Sequence, residues 1–149
     1  MVIHNISLPP GCYGGGYVER FFCGELDFDE HPCFSEIAGL EVSAHVLIDR
    51  PGNVTQFVSF AERAWHAGVS SFHGRDNCND FSIGIELEGT DHAAYTGQQY
   101  GALVELTRSL MAAYPALTRD RIVGHGDIAP GRKTDPGPAF DWRAYLDQL

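Results

Sequence analysis

The amino-acid sequence predicts a mixed α/β fold in which a central mixed β-sheet is flanked by helices, and three observations carry that expectation. Segments of strand character near residues 1–6, 81–87 and 121–124 are interleaved with helical ones. Residues 44–49 and 54–60 flank Arg50-Pro51-Gly52-Asn53, a turn-forming sequence, and so read as an antiparallel hairpin. Residues 97–114 hold apolar side chains to one helical face. Strands alternating with helices, plus one hairpin, describe a mixed sheet with helices packed against it.

In chain order, the strand at 1–6 runs into a Pro- and Gly-rich loop from Leu8 to Gly16. A short helix is expected next, with Val18, Phe21 and Phe22 inward, and a second beginning near His31-Pro32 and ending at Gly39. After the hairpin, residues 66–81 are rich in Gly, Ser and Asn and read as loop, and 81–87 returns to an apolar strand. Thr96 with Gln99 forms a capping box for the long helix, whose Tyr100, Leu103, Val104, Leu110, Met111 and Tyr114 form the core face. Pro115 ends it, a short strand follows at 121–124, and 140–149 reads as a terminal helix.

The chain has 149 residues, 44% of them hydrophobic, enough to bury about two-thirds of its unfolded surface. A core therefore needs no disulfide staples, and a single domain over residues 1–149 is expected. The net charge of −10 argues against nucleic acid or an anionic membrane as partner, because such binding needs clustered Lys and Arg. A small anionic ligand needs only a local basic patch, for which Arg63, Arg75, Arg132 and Lys133 are available in loop-like segments. No apolar run approaches membrane-spanning length and no export signal is recognisable, so a cytoplasmic protein with no obligate protein partner is expected. Cys12, Cys23, Cys33 and Cys78 form no CxxC pair; free thiols are expected, with a Cys23–Cys33 bridge left open.

Two separated segments carry the chemistry: Val2-Ile3-His4-Asn5, and Gly124-His125-Gly126-Asp127 through Lys133-Thr134-Asp135-Pro136-Gly137. Together they offer two imidazoles, a carboxylate and a lysine, a set suited to a catalytic zinc site with three protein ligands and a fourth position open to water. From the residues alone, Asp127 competes with Asp135 as the carboxylate, and Glu86 and Glu88 compete as general acid and base on one strand face. His45 suits either a pocket wall or a hydrogen-bonded core position, and His31, His73 and His92 belong to no motif.

The chain resembles the zinc-dependent N-acetylmuramoyl-L-alanine amidases of type 2, and within them the AmpD type that acts on 1,6-anhydro-muropeptides in cell-wall recycling. The resemblance rests on the stretches 4–11, 43–45, Arg63-Ala64-Trp65-His66-Ala67-Gly68-Val69-Ser70, 79–91 and 124–142, in order along the chain. It implies the peptidoglycan-recognition fold, one Zn2+ per chain bound by His4, His125 and Asp135, and Glu86 as general acid and base. It further implies Lys133 at the oxyanion and an anhydro-muropeptide substrate contacted by Asn5, Trp65, His66 and Arg75; the adjacent Arg132 could substitute for Lys133 electrostatically but lacks the positional match. The alternatives are an amidase of intact peptidoglycan and a non-catalytic recognition module; the latter loses a metal ligand. Three departures stand out: a short segment before His4, Asn77 where relatives carry a basic residue, and Tyr17 where an indole is common.

Overall fold

The computed structural model describes residues 1–149. Five strands form one mixed sheet: β1 (Val2–Ile6), β2 (Val46–Ile48), β3 (Val54–Gln56), β6 (Gly84–Glu88) and β7 (Val123–Gly124), in the order β3-β2-β6-β1-β7. β2, β6, β1 and β7 run parallel and β3 is antiparallel to β2, so the expected hairpin supplies the sheet's only reversed strand. β1 pairs with β6 such that His4 lies beside Glu86, and β6 pairs with β2 such that Glu86 lies beside Leu47.

Strand alternation gives the two faces of this sheet different jobs. Ile3, Val46, Ile48, Ile85 and Leu87 pack on Leu103, Val104 and Leu110 of α2 (Gly97–Ala113) and on Phe140 and Tyr145 to form the main core. The opposite face carries Val2, His4, Leu47, Glu86 and Glu88. It is only partly covered, by two small apolar clusters built on Leu47 and on Val2. His4, Glu86 and Glu88 therefore gather on a single face.

α2 begins as expected, with Thr96 accepting from the Gln99 N–H and the Gln99 side chain accepting from the Thr96 N–H. Tyr114 departs from expectation: it lies past the last helical turn and is 41% exposed. α1 (Tyr17–Phe22) buries Val18 and Phe21, and the segment after His31 is a 3₁₀ turn, Pro32–Ile37, with His31 as its cap. The terminal helix is shorter than expected, α4 (Trp142–Leu146), and is capped by Asp141.

Residues 66–81 contain more structure than the loop expected there. β4 (Ser71–Phe72) and β5 (Arg75–Asp76) form a two-residue hairpin, followed by a 3₁₀ turn at Cys78–Asp80. Its turn residues, His73 and Gly74, both have positive φ (50° and 78°), the conformation of a type I′ turn. An X-Gly pair between two short segments was the available signal. One further element, the single-turn helix α3 (His125–Ile128), directly follows β7. All four cysteines are free thiols.

Candidate active site

His4 and His125 reach the site from adjacent parallel strands, one mid-strand in β1 and the other at the β7–α3 junction, while the 129–137 loop delivers Asp135. His4 Nδ1 lies 3.0 Å from His125 Nδ1 and 3.1 Å from Asp135 Oδ2, which is itself 3.0 Å from His125 Nδ1. These three atoms form the one side-chain cluster of metal-binding geometry. A tetrahedral ion with N and O ligands at roughly 2.0–2.1 Å would space them about 3.3 Å apart, so the triangle needs only slight expansion to accept one. Two imidazole nitrogens and a carboxylate oxygen are a donor set that fits a zinc-sized cation.

The electrostatics agree with that assignment. Burial pushes the His4 pKa down to about 4, against the opposing influence of the Asp135 carboxylate, so the ring is neutral near neutral pH. Burial raises the Asp135 carboxyl, but the close contacts with the His125 and His4 imidazoles outweigh it and hold the group ionised, well below the usual carboxylate range. Asp127 takes no part: its Oδ2 accepts from the Gly124 N–H at 2.8 Å and caps α3.

The two strand glutamates separate cleanly. Glu88 is committed, accepting from the backbone N–H groups of Gly14 and Arg50 and so pinning the 8–16 loop and the hairpin to the end of β6. Glu86 is 8% exposed and its Oε2 has no hydrogen-bond partner. Burial, reinforced by the nearby Asp135 charge and opposed by Lys133, raises its pKa well above the usual carboxylate value. Lys133 is exposed, makes no ion pair, and lies close enough for its charge to bear on both His4 and Glu86. Arg132, by contrast, spends its guanidinium on the Ala67 and Val69 carbonyls, which removes it as a substitute for Lys133.

The four expected substrate contacts fare differently. Trp65 is 53% exposed, with its ring stacked under the Arg63 guanidinium at 3.9 Å, so it is a surface platform and not a core residue. Asn5 alternates to the sheet face opposite His4. Its NH2 group donates to Asp91 Oδ1 and to the Pro136 carbonyl, leaving only its own carbonyl oxygen for a ligand. His66 does not offer a free edge either: Nδ1 faces His4 Nε2 at 2.9 Å and Nε2 faces Ser82 Oγ at 3.3 Å, placing the ring behind the metal cluster. Arg75 lies over the Phe81 ring at 4.0 Å and borders a separate groove of about 680 Å³ shared with Phe60, Arg63 and Leu117, which contains none of the three clustered ligands. His45 proves structural, receiving the Gly84 N–H at Nδ1 and donating from Nε2 to the Glu62 carbonyl.

Comparison with known proteins places this geometry in context. The family model described as N-acetylmuramoyl-L-alanine amidase matches residues 2–138. The chain is 58% identical over 149 residues to the 1,6-anhydro-N-acetylmuramyl-L-alanine amidase AmpD of Haemophilus influenzae, covering all of this chain and 81% of that protein. A crystal structure of a selenomethionine AmpD derivative superposes with a TM-score of 0.97 at 55% identity, over 99% of this chain and 82% of that one. The amidase AmiD of Escherichia coli, solved with the substrate anhydro-N-acetylmuramic acid-L-Ala-D-γ-Glu-L-Lys, is similar at a TM-score of 0.71 and 31% identity, over 99% of this chain and 55% of that one.

Proposed function

The chain belongs to the N-acetylmuramoyl-L-alanine amidase family, and from that premise we propose that it hydrolyses the amide between N-acetylmuramic acid, preferentially the 1,6-anhydro form, and L-alanine in soluble muropeptides. The observation that carries this reading is the convergence of His4 Nδ1, His125 Nδ1 and Asp135 Oδ2 on the sheet face that also bears the unpartnered carboxyl of Glu86. The cofactor in this reading is one Zn2+ per chain held by those three atoms, which when bound would polarise the scissile carbonyl and lower the pKa of a water towards ~7.

Each remaining role falls to a residue whose surroundings suit it. Glu86, with its pKa lifted towards the working range by burial, takes a proton from the attacking water and passes it to the L-alanine nitrogen as the C–N bond breaks. The carbonyl carbon gains the water oxygen, and the amine departs neutral. The Lys133 ammonium stands by the oxygen that turns anionic, a role worth typically ~3 kcal/mol in a water-poor site. The exposed Trp65 ring offers an apolar face with an indole N–H at its edge, suited to a sugar. No protein nucleophile takes part. A cytoplasmic setting, where soluble wall fragments are recycled, belongs to the same proposal; no helix is long and apolar enough to cross a membrane.

The test combines metal analysis of purified protein with mass spectrometry of products from an anhydro-muropeptide and from intact sacculus. About one zinc per chain, with release of a peptide beginning at L-alanine faster from the soluble fragment, is the expected outcome. Equal hydrolysis of the sacculus would replace the proposed preference with action on intact peptidoglycan. Binding without cleavage would reduce the protein to a recognition module.

A further inference from the structure

Resting on the metal site proposed above, we propose that the dipeptide His66-Ala67, clamped by Asn79, sets the tautomers of both histidine ligands, with His66 a positioning residue that aims His4 through a hydrogen-bond relay. The relay can be read from its far end. The Cys78 carbonyl can only accept, so the Ser82 hydroxyl, 2.6 Å away, donates to it. The hydroxyl's one proton is then spent, and Ser82 Oγ can only accept from His66 Nε2 at 3.3 Å. His66 thus carries its proton on Nε2 and presents a bare Nδ1, which accepts from His4 Nε2–H at 2.9 Å. His4 Nδ1 is left unprotonated and directed into the cluster.

His125 is set by a shorter route to the same end. Its Nε2 lies 3.0 Å from the Ala67 carbonyl, which forces a proton onto Nε2 and leaves Nδ1 bare. The two anchors are neighbours in sequence, and their own N–H groups both donate to Asn79 Oδ1, at 3.0 and 2.7 Å. Arg132 Nη2 holds the Ala67 carbonyl from another side at 2.6 Å. Gly84 makes room for the arrangement: a Cβ there would lie 2.3 Å from His66 Cγ, so only glycine lets the imidazole rest against β6. Partners of this kind fix ring orientation and raise ligand basicity, and losing one typically weakens metal binding ~10–100-fold.

Two measurements on the zinc-loaded protein test the relay: imidazole 1H–15N spectra of the wild type, and zinc affinity by chelator competition. The spectra should show His66 protonated at Nε2 alone, and His4 and His125 protonated at Nε2 with Nδ1 on the metal. His66→Phe keeps the ring volume but removes the acceptor, and should weaken zinc binding by about 10–100-fold. His66→Asn, whose Oδ1 can stand where Nδ1 stood, should recover most of that loss, which a purely space-filling role would not predict. A His66→Phe protein that holds zinc as tightly as wild type, or a wild-type His66 protonated at Nδ1, would overturn the inference; the second readout needs no variant to fold. Wild type without zinc would instead fail the underlying metal reading, so the two failures are distinguishable.

Discussion

At the scale of single residues, function turns on which of two similar carboxylates has been left free. Asp127 and Asp135 stand eight positions apart, but one is consumed capping α3 while the other faces two imidazoles. Asp135→Ala should therefore abolish tight zinc binding and Asp127→Ala should leave it, as metal analysis after dialysis will show; equal metal in both variants would move the ligand elsewhere. Glu86 and Glu88 divide in the same way, and Glu86→Gln should lower kcat at least ~100-fold with zinc retained. Stability supplies a second readout. The Glu86 pKa is raised in the fold, so above its ordinary value near 4.5 the folded metal-free protein binds more protons than the unfolded chain, and Glu86 costs stability as pH rises. Denaturant midpoints should show the advantage of Glu86→Gln over wild type growing from pH 4 to pH 7; an advantage that shrinks would contradict a raised pKa. The choice of Glu86 over Glu88 was not legible in the chain, because the backbone N–H groups that occupy Glu88 belong to Gly14 and Arg50, which only folding brings close.

At the scale of elements, the segments with strong local signals behaved as expected and the short ones did not. α2 combines a capping box with a continuous apolar face, so its start and its register against the sheet follow from local chemistry. Leu103, fully buried at the centre of the main core, should cost ~2–5 kcal/mol on truncation to Ala, measured by urea denaturation. A loss under about 1 kcal/mol would mean that the helix is not the sheet's principal support. Gln99 is a polar exception on the same helix. Also fully buried, it donates to the Ile48 and Glu88 carbonyls and so ties α2 to the ends of β2 and β6. The β4–β5 hairpin and α3 escaped notice because two strand residues or one helical turn produce no period to detect.

At the scale of the whole molecule, the proposed metal site would join segments far apart in the sequence. His4 and Asp135 are separated by 131 positions, and a cation between them would tie β1 to the loop after α3. Because such a site exists only in the folded state, metal binding is also folding energy. Free zinc at 1,000 times Kd should add about 4 kcal/mol, and its removal by a chelator should lower Tm by roughly 8–16 °C in a domain of this size. Calorimetry with and without chelator checks this, and an unchanged Tm would count against a bound metal.

The amino-acid sequence by itself determined the mixed α/β class, the hairpin and the long helix, because periodicity, turn residues and capping pairs act over a few neighbouring positions, whereas the chemistry-bearing set was named through resemblance to a family. Trp65, Asn5, His66 and Arg75 entered that set together through their resemblance to known amidases, yet they occupy four different environments: an exposed platform, a loop tether, a support behind a ligand and a separate groove. Only the tertiary structure gives them these surroundings. It places His4 beside Glu86 through the parallel register of β1 and β6, and it sets the 66–67 backbone against both histidines. Hydrogen bonds between residues tens of positions apart depend on strand order and loop path, quantities that no local pattern of side chains encodes.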